Sequence, residues 1–299
     1  MQSSRTSHRP HVIVIWFQAA RPKTLPAGSA PVVLGTAMAL EAGKLHLPSA
    51  LCALAGSLLI QIGTNFANDY FDHAKGADTA DRLGPTRATQ AGLVSPSAMR
   101  LATVLAFGLA LLPGLYIVWR GGWPFVAIGL LSIMCGILYT AGPYPLGYLG
   151  LGDLFVLIFF GPVAVGGTYY VQALQLNPQV LLAGLAAGLL SVAILTVNNL
   201  RDIDQDRQAR KMTLPARFGR SFGRAEYALA LAGAIVAIPV ILSFHRPSVL
   251  LALLAAAPAA RTLRVVATTT DGPALNEALA ATGKVLLVFS ILFSIGWNI

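Results

Sequence analysis

Apolar runs separated by short polar stretches recur along the whole chain. Nine of them, at about 26–43, 49–68, 97–118, 122–140, 152–172, 179–199, 226–244, 247–265 and 282–298, approach or reach the roughly 20 residues that a helix needs to cross a bilayer. The pattern predicts an all-α integral membrane protein with nine transmembrane helices. Pro26, Pro31 and Pro258 interrupt the first and eighth runs, but membrane helices tolerate proline and glycine because neighbouring groups satisfy the freed backbone. Ahead of the first run, Val12 to Ala20 is a short apolar stretch without a cleavage pattern leading into a soluble domain. It reads as an interfacial helix within an N-terminal segment, residues 1–25, and not as a signal peptide.

Composition agrees with this reading. With 56% hydrophobic and 11% charged residues in 299, and a mean hydropathy of +0.68, the chain has more apolar surface than a soluble core of this length needs. Its net charge of +9 follows the membrane topology. If the N-terminus is cytoplasmic, nine spans put every Lys and Arg on the cytoplasmic side except Lys44, Arg120 and Arg246. That bias accounts for the basic residues without nucleic acid, for which no binding module is recognisable. Cys52 and Cys135 each sit alone in an apolar run, and the histidines show no metal-ligand spacing.

The acidic residues need a separate explanation, because positive-inside bias does not call for them. All but Glu41 fall on or near the same cytoplasmic face, and two groups stand out. In "NFANDYFDHAKGADTADRLGP", Asn65, Asp69 and Asp72 are spaced i, i+4, i+7, and Asn68 pairs with Asp72 at i, i+4. In "VNNLRDIDQDRQARKMTL", Asn198, Asp202 and Asp206 are spaced i, i+4, i+8. Helical geometry predicts that each trio shares one face. The chain thus reads as a single domain, 1–299, whose halves, about 26–150 and 151–299, repeat one theme: apolar helix, Asn, two carboxylates, basic loop.

Clustered carboxylates repel one another unless a cation lies between them, and oxygen-only ligands suit Mg²⁺. Mg²⁺ prefers one or two carboxylates plus substrate phosphates, so two such clusters suggest a diphosphate bridged to the protein through metal. Lys75, Arg82, Arg201 and Lys211 lie close enough in sequence to contact phosphate oxygens directly. A phosphate ester on a long lipid fits both the motif and the membrane. The competing view, solvated helix ends at the interface, puts Asp at helix C-termini, where the macrodipole disfavours it.

These stretches, with "RPKTLPAG" (Arg21 to Gly28) and "YTAGPYPLGYLGLGD" (Tyr139 to Asp153), resemble the intramembrane aromatic prenyltransferases of the UbiA type, in matching order over most of the chain. Within them the chain is similar to the branch that uses 1,4-dihydroxy-2-naphthoate. The wider family carries a third Asp four residues after the second; here that position is Gly76, the variant characteristic of the naphthoate branch, and the next carboxylate is Asp78.

The resemblance implies a nine-helix bundle around a central cavity in a bacterial cytoplasmic (inner) membrane, with the active site facing the cytoplasm. It implies a Mg²⁺-dependent transfer of a polyprenyl group from polyprenyl diphosphate to the naphthoate, with decarboxylation, in menaquinone biosynthesis. Asp69 and Asp72 would hold one Mg²⁺, with Asp78 open as a further ligand or a loop cap, and Asp202 and Asp206 the other. Asn65, Asn68 and Asn198 would support them. Tyr139, Tyr144 and Tyr148 can face a carbocation or an aromatic ring, or form an interfacial belt. Arg21 and Lys23 can pair with the acceptor carboxylate or anchor the first helix, and Asp153 can serve as an N-cap. The alternatives are another aromatic acceptor, such as 4-hydroxybenzoate, and a membrane transporter, whose polar groups would sit mid-span. No protein partner is implied.

Overall fold

The computed structural model describes residues 11–76, 83–84 and 87–299. Among them there is no strand, and the helical segments follow the apolar runs. In chain order they are α1 (Val12–Ala19), α2 (Leu25–Glu41), α3 (Leu47–Ala74), α4 (Pro96–Gly121) and α5 (Pro124–Leu138). There follow α6 (Gly152–Ala173), α7 (Pro178–Arg201), the short α8 (Ile203–Gln208) and α9 (Leu214–Phe218), α10 (Arg220–Ser243), α11 (Pro247–Thr268) and α12 (Gly272–Asn298). Seven of these, α3, α4, α6, α7, α10, α11 and α12, are long and apolar enough to cross a membrane. The chain is a multi-pass membrane protein.

Helix starts carry the expected chemistry. His46, Ser95, Asn177, Thr213 and Asp271 accept backbone N–H bonds as N-caps of α3, α4, α7, α9 and α12, each followed by a proline in the first turn. The expected cap at Asp153 is absent: Leu151 holds the N-cap position of α6, and Asp153 lies within the first turn. Buried there, its Oδ1 has no hydrogen-bond partner.

The central helix is α7. Its Ala183, Ala186, Ala187, Leu190 and Ala193 are fully buried, and α2, α6, α10 and α12 pack around it. Glycine permits the closest crossing: a Cβ on Gly188 would lie 2.4 Å from the Leu157 carbonyl oxygen, and one on Gly184 2.8 Å from Pro162 Cα. Small residues give such close approach in membrane bundles. Opposite Gly184 and Gly188, α6 departs from regular geometry at Gly161 (φ −106°, ψ −113°), beside Pro162. The outward face of α4 exposes Leu101, Leu105, Leu109, Leu112 and Leu115, a stripe suited to lipid. Helix α1 exposes Val12, Ile13 and Phe17 and rests Trp16 edge-on against Phe66 of α3, with ring centroids 5.6 Å apart.

Candidate active site

One end of the bundle encloses a polar cavity of about 200 Å³. The end of α3 contributes Asn65, Asn68 and Asp72, and the junction of α7 and α8 contributes Asn198, Asp202, Gln205 and Asp206. Both acidic stretches therefore meet, although they are more than a hundred residues apart in sequence. The second trio does not lie on one continuous helix: α7 ends at Arg201, and Asp202, with φ −95° and ψ 9°, is the hinge from which α8 starts. All three of its members still reach the cavity.

The first trio divides. Asp72 lines the cavity, whereas Asp69 does not. Buried at 2% exposure, Asp69 accepts backbone N–H bonds from Ala88 (3.0 Å) and Thr89 (3.1 Å). Asp72 accepts a 2.8 Å bond from Arg87, a buried cavity-lining residue that the sequence reading missed.

Cations partner the remaining carboxylates. Arg201 grips Asp202 with Nε and Nη2 at 2.7 and 2.5 Å, and donates to Asn198 Oδ1 (2.8 Å) and Asn276 Oδ1 (2.6 Å). Its guanidinium is buried behind the cavity wall and absent from the lining, so it holds Asp202 instead of facing a substrate. Lys211 does line the cavity, with Nζ 3.5 Å from Asp206 Oδ1, and Thr213 donates to Asp206 Oδ2 at 3.2 Å. Burial pushes the Asp206 carboxyl above the ordinary carboxylate range, Lys211 and Thr213 oppose the shift, and Asp202 adds to it.

Other predicted contacts fall elsewhere. Lys75 is exposed, donates to the Gly142 carbonyl (3.0 Å) and stands 5.0 Å from the centre of the Tyr148 ring, so it ties α3 to the 142–148 loop outside the cavity. Lys23 is exposed and outside the lining, whereas Arg21 reaches in. Tyr139 and Tyr148 line the cavity, and Tyr144 is 77% exposed. Asp78, Asp81 and Arg82 lie outside the described residues.

Among the described residues, no three His, Cys, Asp or Glu side chains are grouped closely enough to hold a metal ion by themselves. The donor set nevertheless fits a hard cation that takes one or two carboxylates and leaves other positions to substrate oxygens: Asp72, Asp202 and Asp206, with amide oxygens beside them, are the groups that converge. Next to the polar cavity lies an apolar chamber of about 500 Å³ between α3, α4, α5 and α6. Gln61, Thr64, Tyr139, Val156 and Phe160 line both. The combined space suits a molecule with an anionic head and a long hydrocarbon tail.

Comparisons with known proteins agree. Residues 29–297 match the model of the UbiA prenyltransferase family. The chain is 39% identical over 289 residues to the 1,4-dihydroxy-2-naphthoate octaprenyltransferase of Escherichia coli (strain K12), covering 94% of each chain. It is 39% identical over 278 residues to the Mycobacterium tuberculosis protein of that name, covering 92% of this chain and 94% of the relative. Among solved structures, a UbiA homolog from Archaeoglobus fulgidus shares the fold with a TM-score of 0.66 at 13% identity, covering 95% of this chain and all of that one. Its form bound to GPP and Mg²⁺ matches with a TM-score of 0.62 at 14% identity over 94% of this chain and 99% of that one.

Proposed function

Because the chain belongs to the UbiA prenyltransferase family, we propose that it transfers a polyprenyl group from polyprenyl diphosphate to 1,4-dihydroxy-2-naphthoate with loss of the ring carboxylate, a step of menaquinone biosynthesis. One observation carries the reading. The acidic stretches of both halves converge with Arg87 and Lys211 on a polar cavity that abuts an apolar chamber, in a chain 39% identical to naphthoate octaprenyltransferases.

The reaction breaks the allylic C–O bond, and diphosphate leaves with the electron pair. The electron-rich ring forms the new C–C bond, CO₂ departs leaving its bonding pair to the ring, and the released product is the quinol, which dissolved oxygen oxidises to demethylmenaquinone outside the site. Arg87 and Lys211 offer positive charge to the leaving diphosphate. Asp72, Asp202 and Asp206, with Asn68 and Asn198, are the groups that would hold Mg²⁺ together with substrate oxygens, and the ion would supply further positive charge to that leaving group. Tyr139, where the two cavities meet, presents a ring to the allylic cation, and Tyr148 lines the polar side. Arg21 receives the acceptor carboxylate. The apolar chamber takes the polyprenyl tail and keeps water from the cation.

In this reading the membrane-crossing helices among the described residues number nine, a count supported by the way α2 and α5 also join the two ends of the bundle. The α2 helix runs from the Arg21 turn at the cavity to Glu41, which pairs with Arg246 at the far end. The 15 residues of α5 lead from beside Arg120 to Tyr139, about 22 Å at the helical rise. In this reading the N-terminus and the cavity face the cytoplasm across the bacterial inner membrane, which the basic residues at the cavity end support.

Purified protein in detergent, given a polyprenyl diphosphate, Mg²⁺ and either 1,4-dihydroxy-2-naphthoate or 4-hydroxybenzoate, tests this reading. The expected result is prenylated naphthoquinone and no product from the benzoate. Product from 4-hydroxybenzoate alone would overturn the acceptor, and no product from either would overturn the enzyme.

A further inference from the structure

Asp69 and Asp72 end the same helix but serve different partners. At about 100° per residue, Asp69 lies about 40° round the helix from Asn65 and about 60° from Asp72, at the edge of the face on which Gln61, Asn65, Asn68 and Asp72 meet the cavity, and it is not in the lining itself. Both Asp69 oxygens accept backbone N–H bonds, from the two residues that directly follow Arg87. A carboxylate gripped in this way by successive amides fixes the course of the turn that carries them. The Arg87 side chain leaves that turn and crosses back to Asp72.

The same device recurs one turn earlier on α3. Asn65 Nδ2 donates to the Ala20 carbonyl (2.9 Å) and to Thr24 Oγ1 (3.2 Å). A carbonyl oxygen accepts only a donor, which fixes the orientation of the amide. These two bonds bracket Arg21, whose φ of +53° lies in the left-handed region that a side chain disfavours. Backbone in that region persists where surrounding contacts over-determine it. Arg21 points into the cavity near Tyr139, where the polar and apolar spaces join.

We infer that Asn65 and Asp69 are positioning residues, not metal ligands: Asp69 locks the turn that aims Arg87 at the diphosphate, and Asn65 locks the turn that aims Arg21 at the aromatic acceptor. The substrates named rest on the function proposed above, whereas the division between ligand and positioning residue rests on the hydrogen bonds alone.

Two measurements on purified protein separate the roles. The first is Mn²⁺ binding in the absence of diphosphate, followed by electron paramagnetic resonance. Asp69→Asn keeps the wild-type affinity within about twofold, and Asp72→Asn weakens it on the order of 10-fold or more. The second is steady-state kinetics. Asp69→Asn raises KM for polyprenyl diphosphate on the order of 10-fold with little change for the acceptor, and Asn65→Ala does the reverse. Added to Arg87→Ala, Asp69→Asn costs nothing further, because the two act through one contact.

Loss of Mn²⁺ affinity in Asp69→Asn equal to that in Asp72→Asn would make Asp69 a ligand and overturn the inference. Equal rises in both KM values, or full additivity with Arg87→Ala, would overturn it in favour of general support of the fold. If Asp69→Asn does not fold, Asp69→Ser, which keeps one acceptor oxygen, is measured in the same way. If wild-type protein makes no prenylated naphthoquinone, the proposed function fails while the Mn²⁺ titrations still decide the assignment of Asp69.

Discussion

At the residue scale, Arg201 and Asp202 are neighbours in sequence, bonded in space and both buried. Removing one partner of a buried ion pair leaves an uncompensated charge at a cost of about 3–5 kcal/mol. Arg201→Met therefore lowers the melting temperature in detergent sharply. Asp202→Asn, which keeps an acceptor oxygen for Arg201 but not the charge, also lowers the melting temperature, and its folded fraction loses turnover on the order of 10²–10³-fold; a normal rate would remove Asp202 from the chemistry. The proposed function predicts that chelation will abolish turnover and that added Mg²⁺ will restore it; activity that survives exhaustive chelation would sink the metal assignment. The acidic residues were legible because charges stand out in so apolar a chain. Reading Asn65, Asp69 and Asp72 as one face concealed the place of Asp69 at its edge, outside the cavity lining. Arg87 escaped notice because its partner Asp72 lies 15 residues away, and the positive-inside bias already accounted for a loop arginine.

At the element scale, the apolar runs located the helices but not their ends. Helix α3 continues to Ala74, α10 begins at Arg220 and α12 at Gly272, each several residues beyond its apolar run. Hydropathy marks the part of a helix that faces lipid or core, and the polar turns beyond it are held by caps and tertiary bonds. Those extra turns carry Asp69 and Asp72, so the site sits where hydropathy falls silent. The crossing of α6 and α7 was likewise invisible, because a glycine shows its purpose only once the opposing backbone is known. A Cβ at Gly188 meets the Leu157 carbonyl and Gly161 Cα, backbone atoms that cannot rotate aside. Gly188→Ala therefore costs about 1–3 kcal/mol by overpacking. It also moves a wall of the substrate space, since Val156 and Phe160 of α6 line both cavities. Gly108 of α4 has nothing within 4 Å of its Cβ position, so Gly108→Ala leaves the melting temperature unchanged or slightly raised. Equal melting temperatures for Gly188→Ala and Gly108→Ala would refute the close-packing argument.

At the scale of the whole molecule, the two ends of the bundle differ in charge. The cavity end carries Arg207, Arg210, Lys211, Arg217, Arg220 and Arg224 within a short stretch. At the other end Arg246 pairs with Glu41, and Arg120 donates to the carbonyls of Val171 and Gln172, so these arginines are tied to the fold. Positively charged loops favour the cytoplasmic side, which supports the orientation proposed above, with the cavity end inside, where a soluble aromatic acceptor would be supplied. Two surface positions read this orientation directly in a Cys52→Ala, Cys135→Ala background. Lys44→Cys, at the exposed turn after α2, reacts with a membrane-impermeant maleimide in intact spheroplasts. Arg217→Cys, exposed on α9, reacts only after permeabilisation. The reverse pattern would turn the molecule over and place the diphosphate site on the wrong side of the membrane for substrates made in the cytoplasm.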